Sequence, residues 1–457
     1  MLKGARLWLA AFVLVAVAGQ AAVGMRASRT ARITGDEPFY VATAQSLVSD
    51  HDLDLRDEYA RGGAEMASWW DGRVPLWRQM EPASGGRLLA PHDPGLPLLV
   101  APAFALAGVA GVERFLVLVW ALAMGLAAVL ARRAGAPAWA ALVGAVAVGA
   151  GPPGLVYASQ IYPEAAAAAC VAGGLVVATG RRPRAAALVA TVVALEWLGV
   201  KYLPLALLVV GLWAWRFRAE RRALAGAAAA FAVAGAHFVW WHLHTFGGLT
   251  PYSTNVVWAG EGTAQIVRAH VSVPDRGYRV YGLFLDARFG LLRWLPAAAL
   301  AAAGAAGTHR RRAAVHAGAL AICVALGSFV SITIMGWWFP GRMLVAALPS
   351  LAVLVALGVA RLPRTGLVLA AWGWAVAAAV AWSAHHGGIR LAVDPWTVGA
   401  PLAPGALFPD FRSFGLAQVL ASLAWGAALL ALAIGTTRAR RSIDAAPAAG
   451  SDVEAAA

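Results

Sequence analysis

Apolar runs alternate with short polar breaks along almost the whole chain, and most runs approach the ~20 residues that a helix needs to cross a bilayer. The candidate spans are 7–24, 113–131, 137–156, 163–180, 184–199, 202–217, 222–241, 290–307, 313–333, 342–360, 365–382 and 414–434. This pattern predicts an all-α polytopic membrane protein with about 12 transmembrane helices. Every second break carries a basic cluster: Arg132-Arg133, Arg181 to Arg184, Arg216 to Arg222, Arg310 to Arg312, Arg361 to Arg364 and Arg438 to Arg441. Short loops rich in Arg mark the cytoplasmic side, so both termini are expected inside. The remaining breaks, 25–112, 157–162, 199–203, 242–289, 334–341 and 383–413, then share the outer side. Segment 95–110 is apolar but short, and Pro97 and Pro102 interrupt it. If it crossed, every later basic cluster would change sides. Charge parity therefore places it in the interface or as a re-entrant segment.

Composition agrees with this class. The 457 residues are 60% hydrophobic and 13% charged, with a mean hydropathy of +0.67. A soluble chain would carry about twice that charged fraction. The net charge of +14 invites a nucleic-acid partner, but the Arg residues lie in short loops between spans, so no such partner is expected. Cys170 and Cys323 both fall in apolar runs, which argues against a disulfide or metal framework. Lys3 and Arg6 before the first run read as an uncleaved signal anchor. Residues 1–441 form one membrane domain, and 442–457 read as a disordered cytoplasmic tail.

One stretch departs from the apolar and basic background. Ile33 to Tyr59 is dense in acidic residues and follows the first span directly. Pro38 suits a first helical turn, and Asp36 before it suits the N-cap. Tyr40, Ala44, Leu47 and Val48 then recur at helical spacing. The expectation is a juxtamembrane, amphipathic helix on the membrane surface, with Asp36 and Glu37 at its N-terminus. On residue types alone, Asp36 either caps this helix or does chemistry.

GDEPFYVATAQSLVSDHDLDL resembles the first extracytoplasmic loop of integral-membrane glycosyltransferases of superfamily C, among them the protein O-mannosyltransferases and the lipid A aminoarabinose transferases. PHDPGLPLLVAPAFALAG, SQIYPE, VKYLPL, FGGLTPYS, LFLDARFGLL and WWFPGR fit the same pattern, in order, from near residue 30 to near residue 350. The resemblance implies transfer of a sugar from a polyprenyl-phosphate donor to an extracytoplasmic acceptor, a glycan, lipid or protein, by a multi-pass enzyme of the cytoplasmic membrane. It implies that Asp36 and Glu37 match the Asp-Glu pair of the family and that Glu164 belongs to the rim of the site.

Such a transfer needs a base for the acceptor hydroxyl, cations for the departing phosphate and an apolar groove for the lipid. Asp36 is the candidate base, and Glu37 is the fallback or orients the acceptor. Lys201 and Tyr202 stand at the outer end of a helix hairpin, where an ammonium either snorkels or meets an anion. Glu196, deeper in the same span, is a possible partner for Lys201. Arg342 follows Trp337-Trp338-Phe339-Pro340-Gly341 and can offer a fork to phosphate. Glu164 either caps its helix or lines the site. His92 and Asp93 are further candidates for binding substrate. A divalent metal is possible but not required, because Lys and Arg can serve a monophosphate leaving group. Asp52 and Asp54 read as a solvated loop, and Asp286 and Arg288 as a local ion pair. A transporter or flippase of lipid-linked sugars is the alternative, and a non-catalytic scaffold is a third reading. A transport path would need a midplane polar site, and Glu196 is the main charge within the spans.

Overall fold

A backbone surrounded by lipid must satisfy its own hydrogen bonds, and a chain this apolar does so with helix. The computed structural model describes residues 2–28, 31–60, 66–72, 76–258, 261, 263–271, 276–307, 310–336, 338–387, 391–392, 402–413 and 415–444. The helices are α1 (Leu2–Gly19), α2 (Glu37–Ser49), α3 (Arg56–Ala60), α4 (Gly95–Ala134), α5 (Ala138–Gly149), α6 (Pro152–Ser159), α7 (Glu164–Ala178), α8 (Ala185–Leu198) and α9 (Leu203–Arg216). They continue with α10 (Arg221–Phe246), α11 (Thr263–His270), α12 (Arg279–Leu285), α13 (Leu291–Trp294), α14 (Leu300–Ala305), α15 (Arg310–Ala325), α16 (Leu348–Arg361), α17 (Pro363–His385) and α18 (Leu416–Asp444). Among the described residues, extended pairing is limited to two isolated bridges, Asp54 with Leu89 and Met80 with Asn255.

The all-helical expectation holds. Among the described residues, six helices are long and apolar enough to cross a membrane, or seven if the bent pair α5–α6 counts as one span. Each of the twelve expected spans contains helix, but several helices are short. α7 has 15 residues and α8 has 14, about 21–23 Å at 1.5 Å per residue against a hydrocarbon core of about 30 Å. The run 290–307 is divided among α13, a 3-10 turn at Pro296–Ala299 and α14. Proline explains much of this, because it opens α6 and α17 and is the second residue of α9 and α16. α18 runs to Asp444, three residues past the expected end of the domain. From residue 445 the expected tail lies outside the described residues, as does Trp337.

α16 is the axis of the bundle and is buried along nearly its whole length. α14 crosses it at Gly304 and Gly358, where an added Cβ would stand 1.9 Å from the Leu354 carbonyl oxygen and 2.2 Å from that of Leu300. Only glycine permits backbones this close. α18 instead exposes Leu416, Leu423 and Leu430, as a lipid-facing helix does.

α4 begins at Gly95 and breaks at Ala107–Gly108. A Cβ on Gly111 would lie 2.3 Å from the Ala103 carbonyl oxygen. Residues eight apart in a straight helix are about 12 Å apart, so the chain turns sharply here. The leg before the break is far shorter than a span.

The bundle has two distinct ends. At one, Arg133 donates to the Val176 carbonyl and to Thr179, Arg216 donates to the Gly180 carbonyl, and Arg312 donates to the Arg133 carbonyl. Several of the basic clusters therefore meet at the C-terminal end of α7. At the other end, the N-terminus of α7 meets the segment around Asp36.

α2 forms where its sequence places it, with Asp36 at the N-cap position and Pro38 in its first turn. It is not the surface helix expected. Glu37 to Ser46 are all buried. Tyr40, Val41 and Ala44 face the main core, while Phe39 and Ala42 face a second cluster made with Leu55, Met66, Leu76, Met80, Leu88 and Ala90. The irregular chain between α3 and α4 covers the face that was expected to meet lipid and water.

Candidate functional site

Four segments distant in sequence bring their charged groups together at the N-terminal end of α7. Gly35 has φ +64 and lets the chain turn into α2. Asp36 sits at the N-cap position, yet its side chain makes no capping hydrogen bond. The capping reading is thereby set aside. Its Oδ2 lies 3.5 Å from Arg342 Nη2, and its Oδ1 lies 3.9 Å from His92 Nε2 and accepts a 3.4 Å hydrogen bond from Gln79 Nε2. Its side chain is 32% exposed, so the carboxylate sits at a rim.

Arg342 is the centre of the cluster and is buried. Gly341 before it has φ +91, and an added Cβ there would come within 3.2 Å of Pro153. That turn, which an L side chain would strain, aims the guanidinium inward. Its Nε donates to Glu164 Oε1 at 3.1 Å. Its flat face lies 3.9 Å from the centre of the Tyr162 ring, with Trp338 at 5.2 Å, within cation–π range.

Glu164 opens α7 after Pro163. Oε1 accepts from Lys201 Nζ at 2.9 Å as well as from Arg342. Glu164 Oε2 is buried without a hydrogen-bond partner. Lys201 therefore pairs with Glu164 and not with Glu196. Its side chain is 50% exposed, and Nζ lies 5.1 Å from the centre of the Tyr202 ring. Tyr202 is buried, and its hydroxyl also lacks a partner.

His92 stacks at a tilt on Tyr40, 4.9 Å between ring centres, and its Nε2 contacts Gln79 Oε1 at 3.0 Å. With Gln79 donating to Asp36, Nε2 carries the imidazole proton. Burial pulls His92 below its usual value, against the pull of Asp36, so the ring is neutral near pH 7. Burial pushes the Asp36 carboxyl up, but His92, Arg342, the Gln79 hydrogen bond and Lys201 outweigh it and hold it below its usual value. Asp36 is accordingly ionised at neutral pH.

Two expected members lie elsewhere. Glu37 is buried with both oxygens committed to backbone: Oε1 accepts from Ile161 N–H at 2.9 Å and Oε2 from Thr34 N–H at 3.0 Å. This ties α2 to the turn before α7, so the fallback role as base is not supported by its position. Burial, opposed by those two N–H groups, pushes its carboxyl up to about 7. Asp93 turns away from the cluster, its Oδ1 3.3 Å from Nε2 of the buried His242. His92 and Asp93 thus point to different partners and do not form a metal site with Asp36.

Two further expectations change. Asp54 is not solvated. It is buried, accepts from the Leu88 N–H at 2.9 Å and holds Arg56 Nε at 2.7 Å, which fixes the loop under α2. Asp286 accepts from the N–H groups of Arg288 and Phe289, both at 2.8 Å, so it organises a backbone turn. Cys170 and Cys323 are free thiols.

Sequence reasoning missed Gln79, Arg32 and Glu113. Gln79 is held by the long loop after α10: its carbonyl accepts from Val256 N–H at 3.0 Å, and Glu81 N–H donates to the Thr254 carbonyl at 2.8 Å. Glu113 is buried in α4, accepts from Arg32 Nε at 2.8 Å and from Gly24 N–H at 2.8 Å, and braces the chain entering α2. A lone acid in an apolar helix, with Arg26, Arg29 and Arg32 upstream of it, was the available signal for that pair.

Comparison with models of known families, with curated proteins and with solved structures returned no match.

Proposed function

We propose that the chain is a membrane glycosyltransferase that moves a sugar from a polyprenyl-phosphate donor to an acceptor hydroxyl. The observation that carries this reading is Asp36. It stands where a capping residue belongs, makes no capping bond, and presents an ionised carboxylate beside Arg342 at a solvent-open rim. A base at hydrogen-bond reach of an acceptor hydroxyl contributes ~10²–10⁴-fold. Arg342 and Lys201 offer two cations for the phosphate that departs. Glu164 Oε2 and the Tyr202 hydroxyl, both buried and partnerless, suit the hydroxyls of a sugar, since such groups are costly to leave unpaired.

A place for the lipid chain supports the same reading. An apolar groove of about 530 Å³ runs between α12, α14 and α15, lined by Val280, Phe284, Ala301, Leu320 and Phe329. The turn carrying Phe329 packs on Met343, since a Cβ on Gly327 would lie 3.0 Å from Met343 Cβ. That turn therefore touches the residue that follows Arg342. In this reading the chain crosses about 12 times in the cytoplasmic membrane, with α1's N-terminus and the Arg-rich end inside and the site on the extracytoplasmic face. Transfer is a direct displacement with inversion, in which Asp36 takes the hydroxyl proton as the anomeric carbon leaves the phosphate.

The test is transfer of labelled sugar from polyprenyl-phosphate donors by purified protein, with membrane extract as the source of acceptor. Label must move only when the donor is lipid-linked. Uptake of an intact lipid-linked sugar across sealed proteoliposomes, with no label transferred, would replace this reading with transport.

A further inference from the structure

A second acidic site lies at the far end of α2 from Asp36. The loop after Ser49 folds so that Asp50, at the C-cap of α2, meets Asp57 and Glu58 of α3. One carboxylate oxygen from each lies within 4.8 Å of the other two. Acidic clusters are common on surfaces, and this one alone would say little. Glu58 makes the difference. It is 0% exposed, and neither of its oxygens has a hydrogen-bond partner. A buried carboxylate without a partner is among the costliest groups a fold can hold.

We propose that Asp50, Asp57 and Glu58 bind one hard divalent cation, calcium or magnesium, which ties the C-terminal end of α2 to α3. The donor set is all carboxylate oxygen, which suits hard cations and not zinc or copper. The nearby His51 ring is turned to the Leu47 carbonyl. Calcium binds oxygen at ~2.3–2.6 Å, so two ligands opposite each other across the ion stand about 5 Å apart. Three oxygens within 4.8 Å of one another therefore fit around one ion. Asp50 is exposed, which leaves room for water to complete the shell. A cation here also faces the C-terminal, partially negative end of α2 and offsets the unfavourable carboxylate at its C-cap. The site is separate from the Asp36 cluster and does not depend on the reaction proposed there.

The experiment uses full-length protein in a neutral detergent, stripped with EDTA and desalted. CaCl₂ and MgCl₂ are titrated by calorimetry, and unfolding is followed by tryptophan fluorescence. Saturable binding of one ion per chain, with a rise in Tm, is expected from at least one of them. Glu58→Gln and Asp57→Asn should each weaken it by about 10-fold or more, as loss of a carboxylate ligand does. In EDTA, Glu58→Gln should be at least as stable as the parent, because it removes a buried acid packed against two others. That result separates a ligand from a residue needed only for folding. No saturable binding up to about 10 mM, above the ~10⁻⁴–10⁻³ M of weak extracellular calcium sites, would overturn the proposal. So would parent-like binding by Glu58→Gln, or binding of zinc alone. Should Glu58→Gln not fold, Asp50→Asn at the exposed position must still weaken binding, and unchanged affinity there refutes the site.

Discussion

Asp36→Asn separates chemistry from architecture at a single atom pair. The substitution keeps the size of the side chain and its ability to accept from Gln79. It removes the charge 3.5 Å from Arg342 Nη2. Two unit charges at that distance attract by about 5 kcal/mol at an effective dielectric near 20. Most of that does not reach the folding free energy. Asp36 is a third exposed, Glu164 still holds Arg342, and rim ion pairs contribute about 1 kcal/mol net. No capping energy is lost, because the side chain makes no capping bond. The expected change in Tm is thus small, about 1–2 °C for a chain of this length. The rate is another matter. Asn accepts no proton at neutral pH, so loss of the base should cost ~10²-fold or more in kcat, equivalent to about 2.7 kcal/mol of barrier.

The assay is sugar transfer per mole of purified protein, with donor KM, kcat and Tm taken on the same sample. A purely electrostatic role for Asp36 leaves a different trace. Removing a carboxylate that competes for Arg342 would lower the KM for an anionic donor and leave kcat alone. A stable Asp36→Asn with parent-like kcat would take Asp36 out of the mechanism. The pH profile adds a control. The Asp36 carboxyl is held below its usual value of 3.8, so the stability it contributes is present above that value and is lost only as pH falls further. Asp36 should therefore stay ionised across the neutral range and give no acid limb there.

Glu37 carries a prediction of opposite sign. Its carboxyl rises from 4.5 to about 7 in the fold, so its contribution is full below pH 4.5 and disappears as pH rises through 7, a change of roughly 3 kcal/mol. The Tm of the parent relative to Glu37→Gln should fall between pH 5 and pH 8, and a constant difference would contradict the burial argument. Gly341→Ala forces an L side chain to φ +91 against Pro153. It should cost about 1–2 kcal/mol and reduce transfer by displacing Arg342; thermal unfolding and kinetics on one preparation decide. Topology can be read with single cysteines at the exposed positions Glu81 and Arg114, on either side of the short leg of α4. In a background lacking Cys170 and Cys323, both should react with an impermeant thiol reagent from outside, and labelling of only one would mean that segment 95–110 crosses.

The charged cluster was legible in the sequence to the extent that each member broke a local rule. Lys201 and Arg342 are cations at helix ends, Glu164 follows a Pro at a helix start, and Asp36 precedes one. Each was a buried or interfacial charge in need of a partner, and the positions of Arg in other loops put all four on one side. The pairing itself was not legible, because nothing local says that Lys201 meets Glu164 and not Glu196, five residues away. The burial of α2 was hidden for a related reason. Its covering layer, Met66, Leu76, Met80 and Leu88, is irregular chain without periodicity, so the helix read as amphipathic. Gln79 had no signal at all. It matters only because Asn255 bridges to Met80 and Val256 binds its carbonyl, contacts made across more than 170 residues. The twelve-span pattern likewise marked where helix forms but not where proline cuts it short, as in 290–307.

Lys201 and Arg342 resemble each other in charge, but their surroundings assign them different parts. Both donate to one oxygen of Glu164, and with Asp36 the four charges sum to zero. A phosphate entering this neutral cluster gains attraction only if a cation turns toward it. Lys201 is half exposed on a flexible stem and can leave Glu164 at little cost. Arg342 is buried, bridges Glu164 and Asp36, and has its Cζ over the rings of Tyr162 and Trp338. It cannot move without giving up its contacts to both carboxylates, and breaking a buried pair costs about 3–5 kcal/mol. Lys201 is then the mobile contact and Arg342 the fixed one. Reciprocal swaps test this directly. Lys201→Arg keeps charge and reach and should hold kcat within about threefold with parent-like Tm, because a half-exposed cation depends little on geometry. Arg342→Lys keeps the charge but loses the planar fork that spans both carboxylates; it should lower Tm and reduce transfer by ~10-fold or more. Equal tolerance at the two positions would show that only charge matters and that the bridge from Glu164 to Asp36 has no part in positioning the site.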